Sequence, residues 1–276
     1  MSEKFYFKTY KTPNFQNPSL LVGWEPDIGN LGLRVIDYLN KKLEAEEIGE
    51  IEPEGFSTFR GVQIQDNVIQ FPESKFYACQ KYDLLLLKSS RPQYEHYRFV
   101  TLVLDFAQLH CKARELYTIG GIASLMAHTT PRRISTVVNQ PKFKEMLASY
   151  GLETGMNYES PPGERPSLSS LLSWSARRRN IGGVNLWTIV PLYLAAVEDL
   201  KAISDTLWFL DRRFQLNLDF GDFNLEISRQ NERLTQLREQ SPEINKLIGM
   251  LERGIMLNVD ENEKLTEEVT AFLKES

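Results

Sequence analysis

The chain has 276 residues, 42% hydrophobic and 25% charged, the make-up of a folded globular protein with ample material for a core. A formal net charge of −5 counts against a general nucleic-acid binder, which carries a basic face. The two cysteines, Cys79 and Cys111, stand far apart without metal-ligand spacing, so no disulfide framework and no metal site are expected, and a reducing cytoplasm fits.

The opening Met1-Ser2-Glu3-Lys4 lacks a long apolar stretch, so no signal peptide is expected. No run approaches the ~18 apolar residues of a membrane span, so no membrane association is expected. Phe5-Tyr6-Phe7 reads as a short first strand. Residues 20–23 form a buried strand, residues 23–29 a tight turn, and residues ~29–45 a first helix with Leu31, Val35, Tyr38 and Leu39 at helical spacing. Residues 48–51 form a strand. Val62-Gln63-Ile64 and 68–71 pair across Asp66-Asn67, and 76–79 pair with 83–88. Leu84 to Leu87 is a run buried on both faces.

A helix over ~94–110 follows, with Tyr97, Val100, Leu104 and Ala107 as its inner stripe. Residues 115–119 make a strand that closes at Gly120-Gly121, and 134–138 make another. Helices are predicted over 142–150, stopped by Gly151, and over 167–178, with Leu168, Leu171, Leu172 and Ala176 inward. The last strand is 184–190, ended by Pro191. Beyond ~199 the pattern is helical. Lys201 to Phe214 is one helix. The stripe Phe223, Ile227, Leu234, Leu237, Ile244, Ile248, Leu251 and Ile255 is split by a helix start at Ser241-Pro242. Asp260 to Glu263 resembles a capping box. The expected organisation is an α/β domain, 1–215, and a helical C-terminal extension, 216–276. Strands alternating with helices predict a three-layer α/β/α sandwich, and the hairpin-like pairs predict a mixed central sheet.

Three loops carry the chemistry. The first holds Gly23, Trp24, Gly29 and Asn30 before a helix N-terminus, where free N–H groups could cradle phosphate. It has neither Gly-Lys-Ser/Thr nor Gly-x-Gly-x-x-Gly spacing, and Glu25 and Asp27 put negative charge where phosphate would sit. A structural turn is the favoured alternative. Gly120 and Gly121 end a strand, where α/β proteins place ligand loops or simply turn. His128, Thr129, Arg132 and Arg133 join an imidazole, a hydroxyl and two guanidiniums, either as an oxyanion or carboxylate site or as a loop whose His and Arg satisfy backbone carbonyls or a neighbouring subunit. All three loops are expected at one edge of the sheet. Trp24, Trp187 and Trp208 lie in apolar patterns and read as packing residues. Arg177-Arg178-Arg179 reads as a solvated helix end. No complete catalytic constellation is present, so no catalytic residue is named and no cofactor is expected.

Several segments together resemble one family. They are Val22-Gly23-Trp24 with Ile28-Gly29-Asn30-Leu31-Gly32, Phe76-Tyr77-Ala78, Tyr117-Thr118-Ile119-Gly120-Gly121, His128-Thr129-Thr130-Pro131-Arg132, and Gly183-Val184-Asn185-Leu186-Trp187 leading to Pro191-Leu192-Tyr193-Leu194-Ala195. Their order and spacing, over residues 18–235, resemble the proteasome-assembly-chaperone-like family. The resemblance implies a fold like that of phosphorylases and hydrolases, and self-association, here expected as a homo-oligomeric trimer or tetramer. It also implies a protein-interaction or assembly-chaperone role without catalysis, the protein partner itself being unidentified. The alternative is an enzyme acting on a small anionic or nucleotide-like ligand, such as the ATP-dependent carboxylate–amine ligases that some relatives are labelled as. Two departures stand out. The usual Pro-Gly after Gly-Trp is Glu25-Pro26-Asp27, and the chain ends Leu273-Lys274-Glu275-Ser276 without the hydrophobic–Tyr–any tail of some relatives, which counts against proteasome work for this member.

Overall fold

The computed structural model describes residues 7–57, 63–65 and 67–275. The expected strand residues Phe5, Tyr6 and Val62 and the turn residue Asp66 lie outside the described residues, as does the opening 1–4.

Among the described residues the chain forms an eight-stranded sheet and a separate hairpin. In chain order the sheet strands are β1 (Phe7–Thr9), β2 (Ser19–Glu25), β3 (Glu46–Ile51), β6 (Ser74–Cys79), β7 (Leu84–Ser90), β8 (Glu115–Ser124), β9 (Ile134–Val138) and β10 (Gly182–Pro191). The hairpin pairs β4 (Gln63–Gln65) with β5 (Val68–Gln70). The spatial order is β1-β3-β6-β7-β2-β8-β10-β9. β2 runs parallel to β7 and β8, whereas β1–β3, β3–β6 and β6–β7 are antiparallel, so the sheet is mixed. Every long strand predicted from the apolar runs lies in this one sheet. The helices are α1 (Leu31–Lys42), α2 (His96–Asp105), α3 (Phe143–Ser149), α4 (Leu168–Arg178), α5 (Leu200–Phe214), α6 (Gly221–Gln240), α7 (Pro242–Glu252) and α8 (Val259–Lys274).

The chain divides into two compact units. The first comprises residues 1–26, 32–119 and 136–186. Strand alternation places its layers. Leu20, Val22 and Trp24 of β2 share a buried core with Phe99, Val103 and Leu104 of α2 and Leu172 and Ala176 of α4. Gly23 points the other way, onto α1: a Cβ there would lie 2.3 Å from the Gly32 carbonyl oxygen. Helices therefore flank both faces of the sheet in this unit. Phe76 and Phe106 stack at 4.0 Å beneath the wide helical turn Phe106–His110 that extends α2. The second unit comprises residues 27–31, 120–135 and 187–276, and in it α5 to α8 pack on one another.

Several expectations are corrected. The first helix starts at Leu31, not 29, because Gly29 and Asn30 both adopt positive φ, 65° and 50°, a conformation that ends any regular helix. The strand does not close at Gly120-Gly121; β8 runs on to Ser124 with both glycines inside it. Tyr97 is 57% exposed, and the buried stripe of α2 is Phe99, Val100, Val103 and Leu104, running on to Ala107 beyond its end. Trp208 is 52% exposed, with the Arg212 guanidinium 4.6 Å from its ring centre, rather than a packing residue. The last capping box is Asn258 with Glu261, because those are the residues that exchange N–H bonds, each at 2.9 Å. The C-terminal stripe is buried within the chain at Phe223, Leu234, Leu237, Ile244, Ile248 and Leu251, while Ile255 is exposed.

Candidate functional site

The predicted loop residues separate into two groups. Gly23 and Trp24 belong to the first unit, and both are committed to packing: Gly23 admits the α1 backbone, and the buried Trp24 donates its indole N–H to Ser169 Oγ at 3.0 Å. Gly29, Asn30, Gly120, Gly121, His128, Thr129, Arg132 and Arg133 all belong to the second unit. There the turn at 27–30 lies against the glycines of β8. Gly121 N–H points at Asp27 Oδ1, 3.4 Å away, and a Cβ on Gly121 would lie 2.5 Å from the Ile28 carbonyl oxygen. These glycines allow close backbone approach within a strand. The Asp27 carboxylate thus takes an N–H that a bound anion would otherwise use.

The 128–133 loop is held from inside. The Arg132 and Asp199 side chains are 2% and 1% exposed. Arg132 Nε and Nη2 donate to Asp199 Oδ2 and Oδ1 at 2.7 and 3.2 Å, a bidentate pair. Arg132 Nη1 donates to the carbonyls of His128 at 3.0 Å and Thr130 at 2.6 Å. Every nitrogen of this guanidinium is therefore spent on the protein itself. Asp199 is equally occupied: as N-cap of α5 its Oδ1 accepts from Ala202 N–H at 3.1 Å, and its own N–H donates to the Gly29 carbonyl at 3.3 Å. Gly29 N–H donates to the Ala195 carbonyl at 2.9 Å, and Asn30 Nδ2 to Glu198 Oε1 at 3.3 Å. Gln230 of α6 closes the ring, donating to the Glu198 carbonyl at 2.6 Å and accepting from Leu200 N–H at 3.2 Å.

His128 is fixed by Tyr193. The His128 backbone N–H donates to the phenol oxygen at 2.5 Å, and the phenol faces Nδ1 at 2.8 Å. Burial first, then the charges of Arg238 and Arg132, push His128 down to about 4, so it is neutral at pH 7. Burial also raises the Tyr193 phenol. At the rim, Thr129 Oγ1 donates to Glu252 Oε1 at 3.2 Å, while Arg238 grips Glu252 through Nη1 and Nη2 at 2.7 and 3.1 Å and holds its carboxyl below the usual range. Thr129 and Arg133 are the exposed members.

Asp199, Tyr193, Gln230, Glu252 and Arg238 escaped the sequence reading as site residues. Asp199, immediately before an apolar-periodic helix, carried a recognisable N-cap signal. The others are brought in by tertiary packing. Among the described residues no group of three or more His, Cys, Asp or Glu is arranged to hold a metal ion, and no helix is long and apolar enough to cross a membrane.

Residues 20–238 match the sequence profile of the PAC2 family. No curated protein matches the chain. Among solved structures, the chain is similar to Pyrococcus furiosus PbaB, described as an archaeal proteasome activator. Identity is 21%, the match covers 84% of this chain and 98% of that one, and the TM-score is 0.69. A Mycobacterium tuberculosis protein of unknown function matches at 18% identity over 95% of this chain and 96% of its own, TM-score 0.76. A Mycobacterium tuberculosis proteasome-assembly chaperone homologue matches at 18% identity over 79% and 94%, TM-score 0.67. At such identities the likeness establishes the shared fold.

Proposed function

The chain belongs to the PAC2 family, and we propose that it is a non-catalytic, self-associating protein of the cytoplasm that acts by binding other proteins, in the manner of an assembly chaperone. One observation carries this reading. The most chemically equipped loop, 128–133, turns its buried arginine inward onto Asp199 and two carbonyls and keeps its histidine neutral. An enzyme for small anions needs a cation free to meet them, and Arg132 is not such a cation. Two relatives of the same fold, described as a proteasome activator and a proteasome-assembly chaperone homologue, support a partner of that kind. The partner proposed is a proteasome subunit or its assembly intermediate.

Two measurements test this. Purified protein mixed with proteasome core subunits from its own source should co-migrate with them in size-exclusion chromatography. Thermal melts with ATP, amino acids and small carboxylates should show no saturable rise, since a ligand that binds the folded state raises its melting temperature. Saturable stabilisation by a nucleotide together with a carboxylate would establish the ligase-like alternative instead.

A further inference from the structure

We infer that the edge of the first unit where β8 and β10 begin is a docking surface for an acidic segment of a partner protein; this rests on the protein-binding role proposed above and assigns it a surface. Three segments meet there. Gly182 N–H, at the start of β10, donates to the Arg114 carbonyl just before β8 at 3.1 Å. The Arg179 carbonyl, past the end of α4, accepts from Gln108 Nε2 at 3.2 Å, and the Gln108 carbonyl accepts from Lys112 N–H at 3.1 Å. Phe143, which opens α3, packs so closely on Gly182 that a Cβ there would lie 2.4 Å from its ring. The juxtaposition gathers Lys112, Arg114, Lys142, Lys144, Arg177 and Arg178, all exposed. Among the described residues none of their side chains makes a hydrogen bond or an ion pair, whereas Lys8, Lys75, Lys88, Arg179 and Arg238 each hold a carboxylate.

Helix ends explain only part of this cluster. Arg177 and Arg178 suit the C-terminus of α4, but Lys142 and Lys144 stand at the N-terminus of α3, where a cation is unfavourable, and Lys112 and Arg114 lie outside any helix. Like charges gathered without an acid repel one another, and a partner that brings carboxylates relieves that repulsion. An extended nucleic acid fits less well, because its charge would run past this edge onto a chain of net charge −5. Apolar anchors stand beside the cations. Trp174 is 50% exposed, with the Arg178 guanidinium 5.1 Å from its ring centre, and Leu109 is 70% exposed. Exposed tryptophan and arginine together are the composition of protein-binding hot spots.

The test titrates the full chain at low salt into a fluorescein-labelled peptide of glutamate and leucine, read by fluorescence anisotropy. The wild type should bind saturably, and added salt should weaken binding. Lys144→Glu with Arg177→Glu should weaken it by about tenfold or more, with the melting temperature unchanged. If that pair fails to fold, Lys112→Ser with Arg178→Ser removes charge alone and should still weaken binding. Lys246→Glu with Arg253→Glu changes the net charge equally but lies in the second unit, and should bind like the wild type. This surface is overturned by a wild type that ignores the peptide, by a second-unit pair that weakens binding as much, or by tighter binding of a single-stranded oligonucleotide of the same charge. Each of these leaves the protein-binding role standing if the chain still co-migrates with proteasome subunits. Failure to co-migrate, with the peptide still bound at this edge, overturns the proposed partner and not the surface.

Discussion

At the scale of single residues, the Arg132–Asp199 pair sets the energetics of the loop. Removing one partner leaves a buried charge uncompensated, which costs about 3–5 kcal/mol, whereas replacing both with apolar residues of similar volume is far milder. Arg132→Met should therefore lower unfolding free energy by about 3–5 kcal/mol, and Arg132→Met with Asp199→Leu should recover much of it, as read by urea denaturation. Gly121 is a second such point: with a Cβ only 2.5 Å from the Ile28 carbonyl oxygen, Gly121→Ala should cost about 1–3 kcal/mol by overpacking. His128 makes a pH prediction. Its folded value of about 4 lies below the ordinary 6.5, so the unfolded chain binds the extra proton between those values. Stability from this residue is complete above about pH 6.5 and is lost as pH falls toward 4. His128→Asn should flatten that part of the stability curve relative to the wild type; an unchanged slope would show that burial does not hold the imidazole neutral.

At the scale of elements, the two kinds of glycine differ in what sequence reveals of them. Gly151 follows α3 with φ +79°, the left-handed stop predicted from its place after an apolar helix. Gly120 and Gly121 look the same in sequence, yet they lie mid-strand, because what they accommodate is the turn at 27–30, remote in the chain. Helix starts were largely readable. Ser167 accepts from Ser170 N–H at 3.1 Å, and Ser241 precedes Pro242 at the head of α7. The Asn258–Glu261 box was placed two residues too far along the chain, since Asp260 and Asn258 are equally good caps by residue type. Asn258→Ala should cost about 1 kcal/mol in thermal or urea unfolding.

For the molecule as a whole, the C-terminal stripe was open to two accounts, a subunit contact or a cover within the chain. Six of its eight residues are buried in the single chain, in a unit where α6, α7 and α8 pack on one another. Ile248→Ala or Leu265→Ala should then cost about 2–5 kcal/mol of stability, with association unchanged in whatever fraction remains folded. Deleting 216–276 should destabilise the chain and expose the apolar surface those helices cover, read as a lower melting temperature.

Local patterns determined most of the elements by themselves. The apolar runs at 20–22 and 84–87 are strands because they are short and bounded by turn residues, 184–190 joins them in the sheet although Asn185 and Thr188 interrupt its apolar residues, and the 3–4 spacing of α4 and α7 is helical for the reason that one face must be dry. The alternation of the two, with its hairpins, carried the mixed sheet flanked by helices. What the tertiary structure alone decided is the fate of the polar residues. His128, Arg132 and the glycine turns read equally well as a ligand site or as internal fastenings, because a guanidinium looks the same in sequence whether its partner is a substrate or Asp199. Their partners come from positions about 60 to 125 residues further along, and only chain folding brings those carboxylates and that phenol within hydrogen-bond reach.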